Sequence, residues 1–298
     1  MCLLQHTTFS LIQRLIGFVM YLKSEKIIEI IIGGILMKYS ACIELLFSEV
    51  EFIERFKAAK KQGFDAVEFW LWEQKDIQSI KKICNENNIK VGIFQGNTEG
   101  RMIDPKDKNK YIAGVKESLK TASELSCPHL FLMTDILRED RTVEPPPYNI
   151  SDVDKEKNVI DIITELAPIA EKANVTLVIE PLNIYVDHAG YYLNHSEDGF
   201  KLIQKINNKN VRLLYDIYHM QIMEGNIIST LVRYIDLIGY IHVADVPGRH
   251  EPGTGELNFA NIYRRLVDLG YKDYIGFEFI PTKTTKESLK YAKKIFNF

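Results

Sequence analysis

The sequence has 298 residues, of which 46% are apolar and 26% are charged, a composition typical of globular rather than disordered proteins. Its 37 Lys and Arg residues are balanced by 40 Asp and Glu residues, which gives a formal net charge of −3. This balance argues against a nucleic-acid-binding protein that relies on a basic face, because phosphate contacts require clustered Lys and Arg side chains. The length fits a single α/β barrel, which needs about 250 residues.

Residues 1–36 are treated separately from the rest of the chain. Their apolar stretches, Leu15–Leu22 and Ile30–Met37, are too short for a membrane helix, which requires about 20 consecutive apolar residues. A secretory signal is not predicted, because the first charge, Arg14, follows an uncharged stretch instead of preceding an apolar core. We expect either an additional N-terminal helical segment or a start codon assigned too far upstream, with the natural protein beginning at Met37.

From residue 37 onward, short β-rich segments alternate with longer amphipathic segments. The predicted strands are Tyr39–Leu46, Ala66–Phe69, Lys90–Phe94, His129–Met133, Thr176–Glu180, Val211–Asp216, Leu237–Val243 and Tyr274–Phe279. Apolar residues recur at helical spacing in Val50–Lys61, Ile77–Cys84, Val159–Ala173 and Phe200–Ile206. Gly63 and Gly270 lie near predicted helix ends, where glycine serves as a C-cap. Eight strand–helix units predict an α/β fold of one domain over residues 37–298, a (β/α)8 TIM barrel with outer helices. The alternative, an open doubly wound sheet, is disfavoured because no G-x-G-x-x-G motif follows the first strand.

The longest predicted loop, Leu137–Tyr148, contains three consecutive prolines and follows the fourth strand. In a barrel this loop lies at the catalytic face, where long loops are often functional, although it could also be a surface linker. The spacing of Cys2, Cys42, Cys84 and Cys127 suits neither a zinc site nor a disulfide framework. We therefore expect reduced cysteines and a cytoplasmic protein.

Polar side chains interrupt the apolar ends of four consecutive predicted strands: Glu180, Asp216, His242 and Glu278. A buried carboxylate is costly without a compensating partner, and these positions correspond in successive units at the end of the barrel where active sites lie. Three carboxylates and an imidazole suit one divalent cation. The oxygen-rich set favours Mn²⁺ or Mg²⁺, and the imidazole also admits Co²⁺ or Zn²⁺.

Two further residues are candidates for contacting a substrate. His219 follows Asp216 by three residues, so it would lie on the first turn after the sixth strand and could hydrogen-bond a substrate oxygen. Arg249 lies in the Gly- and Pro-rich segment Asp245–Glu256 and could polarise a carbonyl group. The alternative for Arg249 is a surface ion pair with a nearby glutamate.

These motifs resemble the hydroxypyruvate isomerase family of the xylose-isomerase-like TIM barrel superfamily. The most specific segments are Gly63–Phe69, Ile179–Asn183, Asp216–Gln221 and Ala244–Glu256, and the match runs from about residue 37 to the C-terminus. The resemblance implies that the metal ligands are Glu180, Asp216, His242 and Glu278. It also implies that Glu180 and Glu278 are catalytic and move protons on opposite faces of the substrate. The candidate substrate-binding residues are His219, Arg249, His188, Glu256 and Trp70.

The third ligand position departs from the commoner pattern of that family. Hydroxypyruvate isomerases commonly have Gln at this position, whereas the similar ketose 3-epimerases have His, as His242 here. In the segment Asp187–Tyr191, Ala189 stands where Pro is more usual. Trp70 and Trp72 after the second strand could form a wall of the pocket against a sugar face, or could simply pack between strand and helix.

The ligand set predicts a divalent-metal-dependent isomerase that acts on a sugar or a hydroxy-keto acid through a cis-enediolate. We expect a small-molecule substrate, no nucleic acid or membrane partner, and a homo-oligomer, as in many barrel enzymes of this kind. A ketose 3-epimerase and an inosose-type dehydratase would use the same barrel and ligands. A DNA-repair endonuclease would need further His and Asp ligands on the early strands, and a non-catalytic binding protein would not exchange substrate protons.

Overall fold

The computed structural model describes residues 37–97 and 99–298, so the predicted N-terminal segment 1–36 lies outside the described residues. The chain forms a closed barrel of eight parallel strands in sequence order, with β8 paired to β1. Helices surround this barrel, and the predicted TIM barrel is confirmed. Within the described part of the chain, no helix is both long and apolar enough to span a lipid bilayer.

All eight predicted strands are present. They are β1 Lys38–Cys42, β2 Ala66–Phe69, β3 Lys90–Gln95, β4 His129–Leu132, β5 Thr176–Ile179, β6 Val211–Asp216, β7 Ile238–Val243 and β8 Tyr274–Phe277. The predicted first strand, Tyr39–Leu46, was too long because the chain turns after Cys42, where the Leu46 amide donates to the Cys42 carbonyl at 2.8 Å. Hydrophobicity did not reveal this turn, because several of its residues are themselves buried.

The helices are α1 Phe52–Lys61, α2 Ile77–Asn87, α3 Lys108–Leu125, α4 Asp152–Lys172, α5 Ser196–Ile206, α6 Ile217–Met223, α7 Ile227–Tyr234, α8 Phe259–Asp268 and α9 Thr285–Phe296. Helix α4 begins earlier than its apolar pattern predicted, because Ser151 caps it by accepting a hydrogen bond from the Asp154 amide at 3.1 Å. Gly63 and Gly270 follow α1 and α8 with φ angles of 87° and 68°, so their predicted capping role is confirmed.

The register of the last strands aligns the polar residues at one end of the barrel. Asp216 of β6 is paired with His242 of β7, and His242 is paired with Gly276 of β8. Glu180 and Glu278 come directly after β5 and β8, where their backbone amides still donate to carbonyls of the neighbouring strands, at 3.2 and 3.3 Å. Strand closure therefore brings these side chains together at one end of the barrel.

Candidate metal centre and active site

The four residues at the ends of β5 to β8 form one buried cluster. One ligand atom from each of Glu180, Asp216, His242 and Glu278 can be chosen so that all four atoms lie within 4.8 Å of one another. Each of these residues is at most 6% exposed. A set of three carboxylates and one imidazole at this separation is consistent with a site for a divalent cation.

Arg249 lies inside this cluster and not at the surface. Its Nη2 atom is 2.5 Å from Glu278 Oε2 and 3.5 Å from Asp216 Oδ2, and its guanidinium carbon lies 5.3 Å from the centroid of the Tyr218 ring. The alternative of a surface ion pair with a nearby glutamate is therefore wrong. Arg249 lies in the segment after β7, as expected from the sequence, and its side chain points into the mouth of the barrel.

The charges of the cluster do not balance within the protein. Burial raises the pKa of Glu180 to about 7, even though His242 opposes this shift. Burial also acts to raise the pKa of Glu278, but the adjacent Arg249 and His242 outweigh it and hold that pKa well below its usual range. The pKa of His242 would be lowered by burial, but the surrounding carboxylates, Glu68 first among them, raise it well above its usual value.

The cluster also contains polar atoms without hydrogen-bond partners among the described residues, namely Asp216 Oδ2 and His242 Nδ1, which lie 4.0 Å apart. Buried polar atoms are nearly always satisfied in proteins, so such atoms facing one another indicate a ligand that binds between them. The excess of negative charge indicates that this ligand is a cation. The four side chains therefore fit the divalent metal ion that the sequence predicted.

Two histidines lie beside the cluster, and burial lowers the pKa of both imidazoles below the usual value. His219 is fully buried, and its Nδ1 atom accepts hydrogen bonds from the backbone and side-chain amides of Asn183 at 3.2 and 2.7 Å. Its proton is therefore on Nε2, which has no hydrogen-bond partner among the described residues and lies 3.5 Å from Asp216 Oδ2. The ring of His188 lies 5.3 Å from that of His219, and its Nδ1 atom is 2.9 Å from the Arg141 carbonyl. Both imidazoles line the same pocket.

The two tryptophans after β2 have different roles. The indole nitrogen of Trp70 donates a hydrogen bond to Glu278 Oε1 at 3.0 Å, and the side chain lines the pocket while remaining 40% exposed. The indole of Trp72 instead donates to Ser118 of α3 at 2.8 Å, as expected for packing between strand and helix. Glu256 is exposed and accepts from Gln221 at 3.3 Å, and its side chain is not part of the pocket wall.

A pocket of about 550 Å³ opens above the cluster, within the range of about 300–1,000 Å³ usual for small-molecule sites. Its floor carries Glu180, His242 and Glu278, and its rim includes Leu137 and Arg141 of the long loop after β4. That predicted loop therefore forms part of the pocket wall. A larger cavity of about 790 Å³ lies on the other side of the same loop and contains none of the four clustered side chains.

A family profile described as "Xylose isomerase-like TIM barrel" matches residues 56–295, which is most of the chain. The chain belongs to this family. Its relatives include a putative hydroxypyruvate isomerase from Xenopus laevis, 31% identical over 267 residues, which cover 87% of this chain and 95% of that protein. The hydroxypyruvate isomerase of Escherichia coli is 28% identical over 263 residues, covering 86% and 98%. A 2-oxo-tetronate isomerase from Cupriavidus necator is 28% identical over 266 residues, covering 86% and 97%.

Solved structures show the same fold. A crystal structure of an AP endonuclease of family 2 from Brucella melitensis superposes with a TM-score of 0.79 at 26% identity, over 87% of this chain and 99% of that chain. A D-psicose 3-epimerase from Clostridium cellulolyticum gives a TM-score of 0.72 at 18% identity, over 87% and 99%.

In this xylose isomerase-like barrel, one carboxylate in contact with the cluster was not predicted from the sequence as a site residue. Glu68 of β2 is 3% exposed, accepts a hydrogen bond from the Tyr240 hydroxyl at 2.6 Å, and places Oε1 3.2 Å from His242 Nε2. Like the four clustered residues, it is a charged residue in an apolar strand, and this signal was available in the sequence. Glu68 was identified only as part of the segment Gly63–Phe69. Its contact with His242 across the barrel cannot be inferred from the order of the strands.

Proposed function

We propose that this protein is a divalent-metal-dependent isomerase that acts on a hydroxy-keto acid or small sugar, as a hydroxypyruvate isomerase-like enzyme. The observation that carries this proposal is the buried cluster of Glu180, Asp216, His242 and Glu278 at the floor of an open pocket. Relatives named hydroxypyruvate isomerase and 2-oxo-tetronate isomerase support the substrate class. Both names describe compounds in which a carbonyl group and hydroxyl-bearing carbons lie close together, as proton-transfer isomerisation requires.

The four clustered residues are proposed to hold Mn²⁺ or Mg²⁺, because oxygen atoms dominate the ligand set. When bound, the cation would supply Lewis-acid stabilisation of the negative charge that develops on the substrate oxygens. The chain itself would supply the groups that bind the substrate and move its proton.

We assign the proton transfers to Glu180 and Glu278, which contribute carboxylates to the floor of the pocket. One carboxylate would remove the proton from the carbon next to the carbonyl, and the other would support its return. Arg249 would stabilise negative charge on a substrate oxygen, because its guanidinium is buried and held by fixed carboxylates. The Nε2–H of His219 would donate to a second substrate oxygen, since its other nitrogen is engaged by Asn183.

The remaining pocket residues are proposed to shape the substrate site. Trp70 holds Glu278 through its indole nitrogen and presents its exposed ring to the pocket, where it can pack against the carbon chain of a substrate. His188 lies on the opposite wall, and its Nδ1 bond to the Arg141 carbonyl leaves Nε2 as the nitrogen free to contact a substrate hydroxyl.

Proton exchange tests the proposal directly. The protein is incubated in deuterated water with Mn²⁺ or Mg²⁺ and with hydroxypyruvate, a 2-oxo-tetronate, or a panel of aldoses and ketoses. The Mg²⁺ samples are followed by NMR and the Mn²⁺ samples by mass spectrometry after chelation. We expect deuterium to enter the carbon next to the carbonyl of one substrate, and the exchange to be lost with chelator and in Glu180→Gln and Glu278→Gln. The matched control is Glu117→Gln on the exposed face of α3, which should exchange normally. Metal-loaded protein that exchanges none of these substrates would refute the isomerase assignment for this panel.

A ketose 3-epimerase is a second candidate, and the residue that favours it is His242. His at this position resembles the ketose 3-epimerases, whereas Gln is commoner in hydroxypyruvate isomerases. The two reactions differ in where the proton returns: isomerisation returns it to the neighbouring carbon, and epimerisation returns it to the other face of the same carbon. The position of deuterium and the identity of the product therefore distinguish them in the same experiment.

The AP endonuclease of family 2 offers a further comparison, because its fold is similar. A three-zinc nuclease site would need additional His and Asp ligands from the early strands. Across residues 37–97 and 99–298, the single group of at least three potential metal ligands is the one described above. The geometry therefore supports one metal ion and proton-transfer chemistry, not a three-zinc centre.

A further inference from the structure

Glu68 lies on β2, outside the four strands that carry the clustered residues, and its side chain points toward His242. Its Oε1 atom is 3.2 Å from His242 Nε2, and its Oε2 atom accepts the hydroxyl of Tyr240 at 2.6 Å. Neither Oε1 nor Nε2 forms a well-aligned hydrogen bond to any described residue. A small rotation of the imidazole ring would therefore let Nε2 donate a hydrogen bond to Oε1.

The two nitrogens of His242 face different partners. Nδ1 is directed at the cluster, 3.2 Å from Glu278 Oε2, 3.5 Å from Glu180 Oε1 and 4.0 Å from Asp216 Oδ2. Nε2 is directed away from the cluster, at Glu68. A neutral imidazole binds a metal through one nitrogen and carries its proton on the other, so this orientation makes Nδ1 the nitrogen available to a cation.

The neighbouring strand leaves space for this contact. A Cβ atom at Gly276 would lie 2.6 and 2.7 Å from the two carboxylate oxygens of Glu68 and 2.7 Å from Cδ2 of His242. These distances are shorter than van der Waals contacts allow, so a side chain at this position would displace the carboxylate or the ring. Gly276 is thus the residue of β8 that permits Glu68 and His242 to approach each other.

We propose that Glu68 is a positioning residue that accepts the Nε2 proton of His242 and thereby holds Nδ1 toward the metal ion. The inference rests on the metal site of the proposed function and adds the atom that coordinates and the residue that orients it. Carboxylates behind metal-binding histidines fix the tautomer and the ring orientation, and their loss typically weakens metal affinity by about 10–100-fold. Tyr240 would in turn fix the carboxylate through Oε2.

Two substitutions separate this role from a merely structural one. Glu68→Leu removes the acceptor, whereas Glu68→Gln keeps an oxygen at nearly the same place without the charge. We expect Mn²⁺ affinity, measured by calorimetry on the full chain, to fall by about 10–100-fold in Glu68→Leu and by less in Glu68→Gln. Tyr240→Phe, which removes only the outer hydrogen bond, should cause a smaller loss than Glu68→Leu. Circular dichroism of each variant verifies that it is folded.

The coordinating nitrogen can be observed directly. Long-range ¹H–¹⁵N NMR spectra of histidine-labelled protein with Zn²⁺ report which nitrogen of His242 carries the proton, and His242→Gln assigns the signals. We expect a protonated Nε2 and a metal-bound Nδ1 in the wild-type protein. Unchanged Mn²⁺ affinity in Glu68→Leu, equal losses in the Leu and Gln variants, or coordination through Nε2 would each overturn the inference while leaving the metal site intact. If Glu68→Leu does not fold, Glu68→Gln and the wild-type spectra still decide it. A wild-type protein that binds no divalent cation would overturn the metal site itself and this inference with it.

Discussion

The strongest test of the metal site is its effect on thermal stability. Glu180, Asp216 and Glu278 are buried beside Arg249 and His242, and Glu68 contacts His242 from the other side. Four carboxylates therefore share two basic groups, and their mutual repulsion opposes folding in the metal-free protein. A cation that binds only the folded barrel stabilises it by about 2.7 kcal/mol at a concentration one hundred times its Kd. Because 1 kcal/mol shifts the Tm of a domain of this size by about 2–4 °C, we expect Mn²⁺ to raise the Tm of chelator-treated protein by about 5–11 °C.

The matched variant for this experiment is Asp216→Asn. Asp216 Oδ1 accepts the backbone amides of Tyr218 and His219 at the start of α6, at 2.8 and 3.3 Å, and the asparagine oxygen can keep both bonds. The substitution removes the negative charge and Oδ2, including its 3.5 Å contact with Arg249 Nη2, so the Mn²⁺-induced shift should largely disappear. Glu117→Gln on the surface should retain the full shift. The reasoning would be refuted if differential scanning calorimetry gave no Mn²⁺, Mg²⁺, Co²⁺ or Zn²⁺ shift for the wild type, or the same shift for Asp216→Asn.

Three further substitutions test neighbouring parts of the site. Trp70→Phe removes the indole donor to Glu278 and keeps the aromatic wall, so steady-state kinetics should show kcat/KM lower by about 10–100-fold, equivalent to the 1.5–3 kcal/mol of a hydrogen bond to a charged group. An unchanged value would mean that the bond does not position the carboxylate. Arg249→Lys keeps the positive charge but loses the planar guanidinium group, so kcat should fall by about 100-fold in the same assay. A change in KM with an unchanged kcat would contradict a role of Arg249 in the transition state. Gly276→Ala should weaken Mn²⁺ binding, measured by calorimetry, and lower the free energy of unfolding by about 1–3 kcal/mol, because the added Cβ would overlap Glu68. If both quantities keep their wild-type values, the packing argument is refuted.

The barrel and its four clustered residues could be predicted because both depend on local patterns. Each strand is a short apolar segment followed by a helix, and in a closed parallel barrel the strand ends must meet on one rim. The register that pairs Asp216 with His242 does not follow from strand order, because an irregularity between Leu213 and Leu214 shifts it. The first strand was overextended because a buried turn and a buried strand have the same hydrophobicity. Helix α4 was started too late because its first turn is exposed and depends on the Ser151 cap rather than on apolar spacing.

Other contacts could not be predicted because they cross the barrel. Glu68 and His242 are far apart in sequence and lie on β2 and β7, which are not neighbouring strands, so no pairing rule brings them together. The bond from Trp70 to Glu278 likewise joins the loop after β2 to the end of β8. Both contacts depend on how far each side chain reaches into the space above the barrel, and that distance is set by packing and not by a repeated sequence pattern.

The proposed metal ligands and most of the other pocket-lining residues come from different halves of the barrel. All four proposed metal ligands come from β5 to β8, whereas most of the other pocket-lining residues, including Trp70, Gln95, Phe131 and Arg138, come from β1 to β4 and their loops. Changes at first-half pocket residues other than Trp70, such as Gln95 and Arg138, can therefore alter the shape of the substrate cavity without removing a contact to a proposed ligand. Barrels that share the same metal site can therefore differ in the substrates they accept. We expect such differences to lie mainly in the N-terminal half.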